Sequence, residues 1–200
     1  MAKMYPNKFP KDNDSTGERK VYEYFKQQAP DDWIVLHSLR LPKHHEVVFG
    51  ESDFVVLAPG YGVFVLEIKS GGVGFDGSYW IFRDRNGKAT KKQRGPFKQA
   101  EEGMFQVSEM IINRLGEKFD RRHLLYGYGV IFTDEADFPR ETIVEDEPWR
   151  LYQKSNGTNY GEFVVQLANN FINELKALRK NLPRRPSVAD VEKIRRVLRP

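Results

Sequence analysis

The chain has 200 residues, of which 40% are hydrophobic, 13% aromatic and 30% charged, so it is long enough for one α/β domain with a buried core. It contains no cysteine, which excludes disulfides, thiolate zinc sites, iron–sulfur clusters and cysteine nucleophiles. No apolar run approaches the roughly 18 residues of a membrane span, and the first residues lack the apolar core of a signal peptide, so we expect a cytoplasmic protein without a membrane partner.

The net charge of +4 is unevenly distributed along the chain. Residues 176–200 contain nine lysines and arginines but two acids, and residues 134–147 contain seven acids and one arginine. Between residues 83 and 98, seven bases accompany a single acid. These bases are Arg83, Arg85, Lys88, Lys91, Lys92, Arg94 and Lys98. Such clusters occur on solvated loops and on surfaces that contact phosphate, so charge alone leaves both interpretations open.

Residues 1–14 are polar and rich in lysine, which predicts a mobile basic arm. Ser15 and Glu18 have the spacing of a capping box, which predicts a helix from there to about Gln28. Glu18 precedes three apolar residues by helical spacings, so it shares their core-facing side. These apolar residues are Val21, Tyr22 and Phe25. Glu18 is therefore either the reciprocal cap of the Ser15 amide or a carboxylate aimed at an interior site.

A strand is predicted at residues 33–39, followed by a loop that contains His44 and His45. This histidine pair has no third nitrogen ligand nearby in the sequence, which favours a solvated pair over a metal site. Two further strands, at 53–57 and 63–69, flank a turn around Gly60. Apolar residues fill both faces of these strands, which is typical of central, buried strands.

A hairpin centred on Gly60 would place Leu57 opposite Val63 and Asp53 opposite Glu67. Directly opposed Cβ atoms lie roughly 4.5–5.5 Å apart, so the two carboxylates would converge. Buried carboxylates repel each other and are costly unless a cation compensates them. The pattern predicts either a strand end that reaches water or a divalent-cation site with Lys69 beside it.

Three glycines, Gly71, Gly72 and Gly74, break the chain after this strand, and a short strand is predicted at 78–82 around Trp80. A helix from Pro96 to about Leu115 follows the basic residues and carries Gln99 in its first turn. The remaining predicted elements are a strand at 124–132, a helix at 163–182 and a helix that starts at the Ser187 cap and ends at Leu198.

In this order, the elements resemble the nuclease-related domain (NERD) family, a branch of the PD-(D/E)xK nuclease superfamily. The resemblance covers residues 15–135. It depends on Gly17-Glu18, Gly50-Glu51-Ser52-Asp53, Glu67-Ile68-Lys69, Trp80 and Pro96-x-x-Gln99. Ser52 stands where the family pattern usually has an apolar residue.

The resemblance implies an α/β/α sandwich around a small mixed β-sheet, with C-terminal helices, and Mg²⁺- or Mn²⁺-dependent hydrolysis of phosphodiester bonds. By position, Asp53 and Glu67 would be the metal-binding carboxylates, the Ile68 carbonyl a further ligand and Lys69 the catalytic lysine. Glu18 would assist the metal site directly or through water, and Gln99 would support it from the helix. The seven bases of residues 83–98 would contact nucleic acid, which we expect to be DNA.

We expect three segments: a mobile basic arm at 1–14, a nuclease-like core domain at 15–135, and an acidic loop with a helical extension at 136–200. NERD domains often precede helicase or kinase-like modules, so the sequence also leaves open a third interpretation, in which these residues are part of a longer protein with a further domain. The alternative function is a non-catalytic nucleic-acid-binding or assembly module of a larger helicase-type or defence and repair protein. The sequence leaves open a homodimer, the choice between DNA and RNA, and the choice between exo- and endonuclease.

Overall fold

The computed structural model describes residues 1–41, 50–84, 86–134, 137–143 and 145–200. The predicted loop with His44 and His45, and the basic residue Arg85, lie outside this part of the chain. None of the described helices combines the length and apolar character that a bilayer span requires.

Strands build the centre of the molecule. The described strands are β1 (Lys3–Tyr5), β2 (Ile34–Leu41), β3 (Gly50–Ala58), β4 (Gly62–Lys69), β5 (Gly72–Phe75), β6 (Trp80–Arg83), β7 (Ala89–Lys92), β8 (Tyr126–Phe132) and β9 (Leu151–Tyr152). Six of them form a mixed sheet in the order β1-β2-β3-β4-β8-β9, and β5, β6 and β7 form a small antiparallel sheet. In the large sheet β2, β3 and β4 are antiparallel, whereas β1, β8 and β9 pair with parallel neighbours.

Helices cover both faces of the large sheet. The described α-helices are α1 (Thr16–Gln28), α2 (Pro96–Leu115), α3 (Tyr160–Ala177) and α4 (Val188–Leu198). A Cβ on Gly17 of α1 would lie 3.3 Å from Cγ2 of Ile68, and a Cβ on Gly103 of α2 would lie 3.1 Å from Cγ1 of Val65. Ile68 and Val65 lie on opposite faces of β4, so α1 and α2 do as well. With α3 against α1, and α4 against α2, the fold is the predicted α/β/α sandwich.

The predicted hairpin is confirmed. Gly60 has φ +75°, a conformation that favours glycine at this turn. The opposed pairs include Leu57–Val63, Val55–Val65 and Phe54–Leu66. The backbone pairing ends at Phe54–Leu66. The next contact between the two strands is made by a side chain, since the Asp53 carboxylate accepts a hydrogen bond from the Ile68 N–H. The register therefore holds, but Asp53 faces the backbone next to Glu67 instead of pairing with Glu67 directly.

The prediction of a mobile arm at residues 1–14 is wrong for its first part. Lys3 in β1 pairs with Ile34 in β2, and Ala2 and Met4 are buried. The Tyr22 hydroxyl donates a hydrogen bond to the Pro6 carbonyl, 2.8 Å away. A three-residue strand is stabilised by a partner that is remote in sequence, so it leaves almost no local pattern.

Residues after 136 extend the same layers. β9 adds a strand beside β8, and α3 and α4 pack on the helical layers. The predicted helix at 163–182 is displaced, because Asn159 caps α3 by accepting a hydrogen bond from the Glu162 N–H and the helix ends at Ala177. The glycine-rich segment after β4 was expected only to break the strand, but it forms β5 through pairing with β6.

Candidate active site

Asp53 joins the ends of the two central strands. Its Oδ2 atom accepts a hydrogen bond from the Ile68 N–H at 2.7 Å. The contact holds the carboxylate against the backbone of β4, one residue from both Glu67 and Lys69. The structure therefore brings the predicted residues of β3 and β4 to one place, while the ligand role of the Ile68 carbonyl stays a prediction.

Glu67 and Lys69 lie two residues apart on one face of β4, and their charged ends meet. Lys69 Nζ donates a hydrogen bond to Glu67 Oε1 at 2.5 Å. Glu67 is only 7% exposed, so this carboxylate is removed from most of its solvation. Lys69 Nζ also lies 5.6 Å from the ring centroid of Phe82, which places the small sheet beside the acids.

The electrostatics show that these acids are incompletely compensated. Burial raises the pKa of Asp53 well above its usual range, and the negative charges of Glu67 and Glu18 raise it further. Burial also raises the pKa of Glu67, although the positive charges of Lys69 and Arg94 oppose the shift. Because Lys69 and Arg94 only partly offset burial and the repulsion between the acids, the ionised forms of both carboxyl groups are disfavoured until more positive charge is present.

Glu18 belongs to the same charge cluster but has its own partners. Ser15 is the N-cap of α1 as predicted, and its hydroxyl accepts a hydrogen bond from the Glu18 N–H. The Ser15 N–H, however, donates to Asn13 Oδ1, so Glu18 is not its reciprocal cap. Instead, Glu18 Oε2 lies 2.8 Å from His37 Nε2 and accepts a hydrogen bond from Asn13 Nδ2 at 2.9 Å. Burial alone would raise the pKa of Glu18, but these partners outweigh it and lower the pKa.

His37 is a site residue that sequence reasoning missed. It is fully buried in β2, where its ring stacks on Phe9 and contacts Phe54 and Tyr22. Its Nδ1 atom is also buried and has no hydrogen-bond partner among the described residues. The available signal was a histidine inside an apolar strand, which indicates a specific polar partner because an unpaired buried imidazole is costly.

Gln99 lies in the first turn of α2, as predicted, and is half-buried. Its Oε1 atom is buried and has no hydrogen-bond partner within the described parts of the chain. An unpaired buried amide oxygen is expensive, so this atom is suited to accept a hydrogen bond from a water or a ligand. Its supporting role toward the acids remains a prediction.

The residues fit a hard divalent cation with few protein ligands. Within the described residues, no three His, Cys, Asp or Glu side chains are grouped so as to hold a metal by themselves. Mg²⁺, however, usually keeps several waters and is bound by one or two carboxylates together with substrate phosphates. Asp53 and Glu67 supply two such carboxylates, and their raised pKa values are the expected signature of acids that a cation would stabilise.

The described basic residues lie on the β6–β7 hairpin, in the segment that leads into α2 and in the first turn of α2. Three of them are ion-paired: Lys91 with Asp76 at 2.8 Å, Arg94 with Glu102 at 2.6 Å and Lys98 with Glu101 at 2.8 Å. Among the described residues, Arg83, Lys88 and Lys92 form no ion pair. Lys92 Nζ lies 6.0 Å from the Phe82 ring that Lys69 also approaches, so this hairpin adjoins the carboxylate site.

The acidic segment is part of the packing and not only a solvated loop. Glu145 accepts a hydrogen bond from the indole N–H of buried Trp80 at 3.0 Å. Asp146 forms an ion pair with Arg150, whose guanidinium also donates to Glu174. These contacts anchor the segment beside the small sheet and the start of α2.

Comparison with protein families gives a match to the nuclease-related domain over residues 13–133. Comparison with curated proteins and with solved structures gives no match. The matched range begins just before α1 and ends directly after β8, so it contains Glu18, Asp53, Glu67 and Lys69. It spans more than half of the chain, which therefore belongs to the nuclease-related domain (NERD) family.

Proposed function

We propose that this protein is a metal-dependent nuclease that hydrolyses phosphodiester bonds of nucleic acid, with DNA as the expected substrate and Mg²⁺ or Mn²⁺ as the cofactor. One observation carries the proposal. Half-buried Asp53 and buried Glu67 lie close together, each has a raised pKa, and Lys69 donates a hydrogen bond to Glu67. Acids whose ionised forms are disfavoured lower the stability of the metal-free fold, whereas a bound cation would stabilise both of them.

The residues of the candidate site would have different roles in phosphodiester hydrolysis. When bound, Mg²⁺ or Mn²⁺ would acidify a water and polarise a phosphoryl oxygen. Asp53 and Glu67 would hold the ion through carboxylate oxygens, with the Ile68 carbonyl as a further expected ligand. Lys69 has three donor hydrogens, so it can contact Glu67 and also donate to a phosphoryl oxygen or to the attacking water. Because Glu67 is buried, water screens the interactions of its carboxylate less than it would at an exposed position.

The remaining residues position these groups and the substrate. Glu18 is held by His37 and Asn13 and would act on the site through water. The hairpin bases would grip the phosphates that flank the scissile bond, a contact that positions nucleic acid without reading its bases. Arg83, Lys88 and Lys92 are better suited to this than the bases already paired with acids.

The direct test is plasmid nicking with Mg²⁺, with Mn²⁺ and with a chelator. We expect the wild-type protein to nick DNA only with metal, and Asp53→Ala, Glu67→Ala and Lys69→Ala each to lower the rate at least about 100-fold, the scale of removing an electrostatic group from an active site. Asp31→Ala and Lys26→Ala are matched controls at exposed or half-exposed positions, and we expect both to keep wild-type rates.

Two results would count against the proposal. Full activity of Asp53→Ala would remove the carboxylate pair from the mechanism. An inactive wild-type protein that also fails to bind Mn²⁺ in calorimetry would favour the non-catalytic alternative, because a scaffold does not need to bind the ion. Neutralising Arg83, Lys88 and Lys92 together should weaken DNA binding and flatten its salt dependence.

A further inference from the structure

A second basic surface lies away from the carboxylate site, and two distant segments of the chain build it. Residues 118–123 follow α2, and residues 179–184 follow α3. An isolated parallel bridge between Leu124 and Arg184 joins them. The Leu125 N–H donates to the Arg184 carbonyl at 2.9 Å, and the Arg184 N–H donates to the His123 carbonyl at 2.9 Å.

These segments line an open cleft of about 1310 Å³, which we call the basic cleft. Its charged lining consists of six bases and one acid, Asp120. The bases are Lys118, Arg121, Arg122, Arg179, Lys180 and Arg184. Arg122 pairs with Asp120, and Arg184 pairs with Asp190. In the described chain, the other four bases have no ion pair, and all four are exposed.

The basic cleft and the basic segment that joins the β6–β7 hairpin to α2 lie at opposite ends of α2. Arg94 precedes the helix by two residues, and Lys118 follows its end by three. A helix of 20 residues is about 30 Å long at about 1.5 Å per residue. B-form DNA rises about 3.4 Å per base pair, so this separation corresponds to roughly nine base pairs.

We propose that the basic cleft is a second nucleic-acid-binding surface, which contacts the phosphate backbone about nine base pairs from the phosphates that the bases at the start of α2 would hold. Exposed lysines and arginines without acid partners gain the most from a polyanion, because they can release its counterions without first breaking an ion pair. Their position at the far end of α2 extends the charge of the hairpin along the molecule. The inference uses the proposed function only in taking nucleic acid as the ligand.

The test uses fluorescence anisotropy with labelled duplexes in a chelator, so that binding is measured without cleavage. The variant is Lys118→Gln with Arg121→Gln and Lys180→Gln, and the matched control is Lys26→Gln with Lys193→Gln and Arg196→Gln, which changes the net charge equally. For a duplex of 20 base pairs, we expect the cleft variant to bind about tenfold more weakly than the wild type. The slope of log K against log salt concentration should fall in magnitude by about 2 to 3. A duplex of six base pairs should bind the cleft variant and the wild type alike.

The outcomes separate this inference from the proposed function. If the cleft variant and the control weaken binding equally, or if neither does, the second surface is wrong whatever the nuclease assay shows. If the long duplex depends on the cleft but the wild type cleaves nothing, the surface stands and the nuclease proposal fails. Cleft-dependent binding of polyglutamate without binding of DNA or RNA would make the cleft a protein-docking site and overturn the inference. Thermal melting of each variant excludes misfolding as the cause, and a second variant with Lys118→Glu and Lys180→Glu should also bind the long duplex more weakly than the wild type does.

Discussion

Glu18 and Asp53 are acids of one charge cluster, but their surroundings shift their pKa values in opposite directions. Glu18 has His37 and Asn13 as hydrogen-bond partners, and its pKa is lowered. Asp53 has the Ile68 N–H as a partner and two other acids nearby, and its pKa is raised. The protein stabilises the ionised form of Glu18, whereas burial and the neighbouring acids disfavour the ionised form of Asp53.

Under the proposed function, this difference favours a supporting role for Glu18 and a metal-binding role for Asp53. A carboxylate that is already charged and hydrogen-bonded is fixed in place, which suits a residue that orders water or shapes a site. A carboxylate that is destabilised in its ionised form gains most from a cation, which suits a metal ligand. We therefore assign different roles to two residues that the sequence alone presents as equivalent acids.

The largest expected effect is on cleavage. We expect Asp53→Asn to lower the metal-dependent nicking rate by about 100-fold or more, since it removes a charge from the site, and Glu18→Gln to lower it by about tenfold. Initial rates on supercoiled plasmid, with the metal at saturation, measure both. Equal losses in the two variants would erase the proposed distinction.

The raised pKa values of Asp53 and Glu67 predict that the affinity for metal depends on pH. Because Mn²⁺ binds the ionised carboxylates, it must displace protons, and its affinity should fall about tenfold per pH unit for each proton displaced once the pH is below those pKa values. Titration calorimetry between pH 5 and pH 8 would show this, with Asp53→Asn losing binding and Glu18→Gln keeping it. An affinity that does not change with pH would contradict the protonation argument.

The hydrogen bond that His37 makes to Glu18 can be removed without changing Glu18 itself. We expect His37→Phe to lower the free energy of unfolding by about 1–3 kcal/mol, because the partly buried carboxylate of Glu18 loses a hydrogen-bond partner. His37→Gln can still donate a hydrogen bond, so it should recover part of the loss. Urea unfolding at pH 7 compares the two variants, and equal stabilities would show that His37 contributes only through packing.

The smallest effect concerns the stability of the metal-free protein. The raised pKa of Asp53 means that folding favours its protonated form, so its contribution to stability is present below the unfolded pKa and is lost as the pH rises through the folded pKa. Asp53→Asn should therefore raise the melting temperature at pH 7.5 by about 2–4 °C, which corresponds to about 1 kcal/mol in a chain of this size.

The opposite sign is expected for Glu18. Its lowered pKa gives stability above the unfolded pKa that is lost as the pH falls through the folded pKa. Glu18→Gln should therefore destabilise the protein at pH 7.5, and this effect should disappear only when the pH falls below the lowered pKa of Glu18. The effect of Asp53→Asn should already shrink at higher pH, as the pH falls through the raised pKa of Asp53. Thermal melts at several pH values provide the comparison, and shifts of the same sign would contradict it.

Much of the fold was predictable because its signals are local. The period of the apolar residues, the cap at Ser15 and the turn at Gly60 predicted α1 and the β3–β4 hairpin, and the structure confirms them. Pro96 likewise marks the start of α2. The short strands β1, β5, β7 and β9 were missed because each is stabilised by pairing with another strand and not by its own pattern.

The sequence by itself determined which residues are candidates: two acids and a lysine placed on neighbouring buried strands by their spacing. Tertiary structure alone decided what each charge meets. It set His37 of β2 against Glu18 of α1, directed Asp53 to the Ile68 N–H, and joined two remote basic segments into one cleft. The physical reason is that spacing along a chain controls which face a side chain occupies, whereas its pKa and partners depend on burial and on charges that only folding brings near.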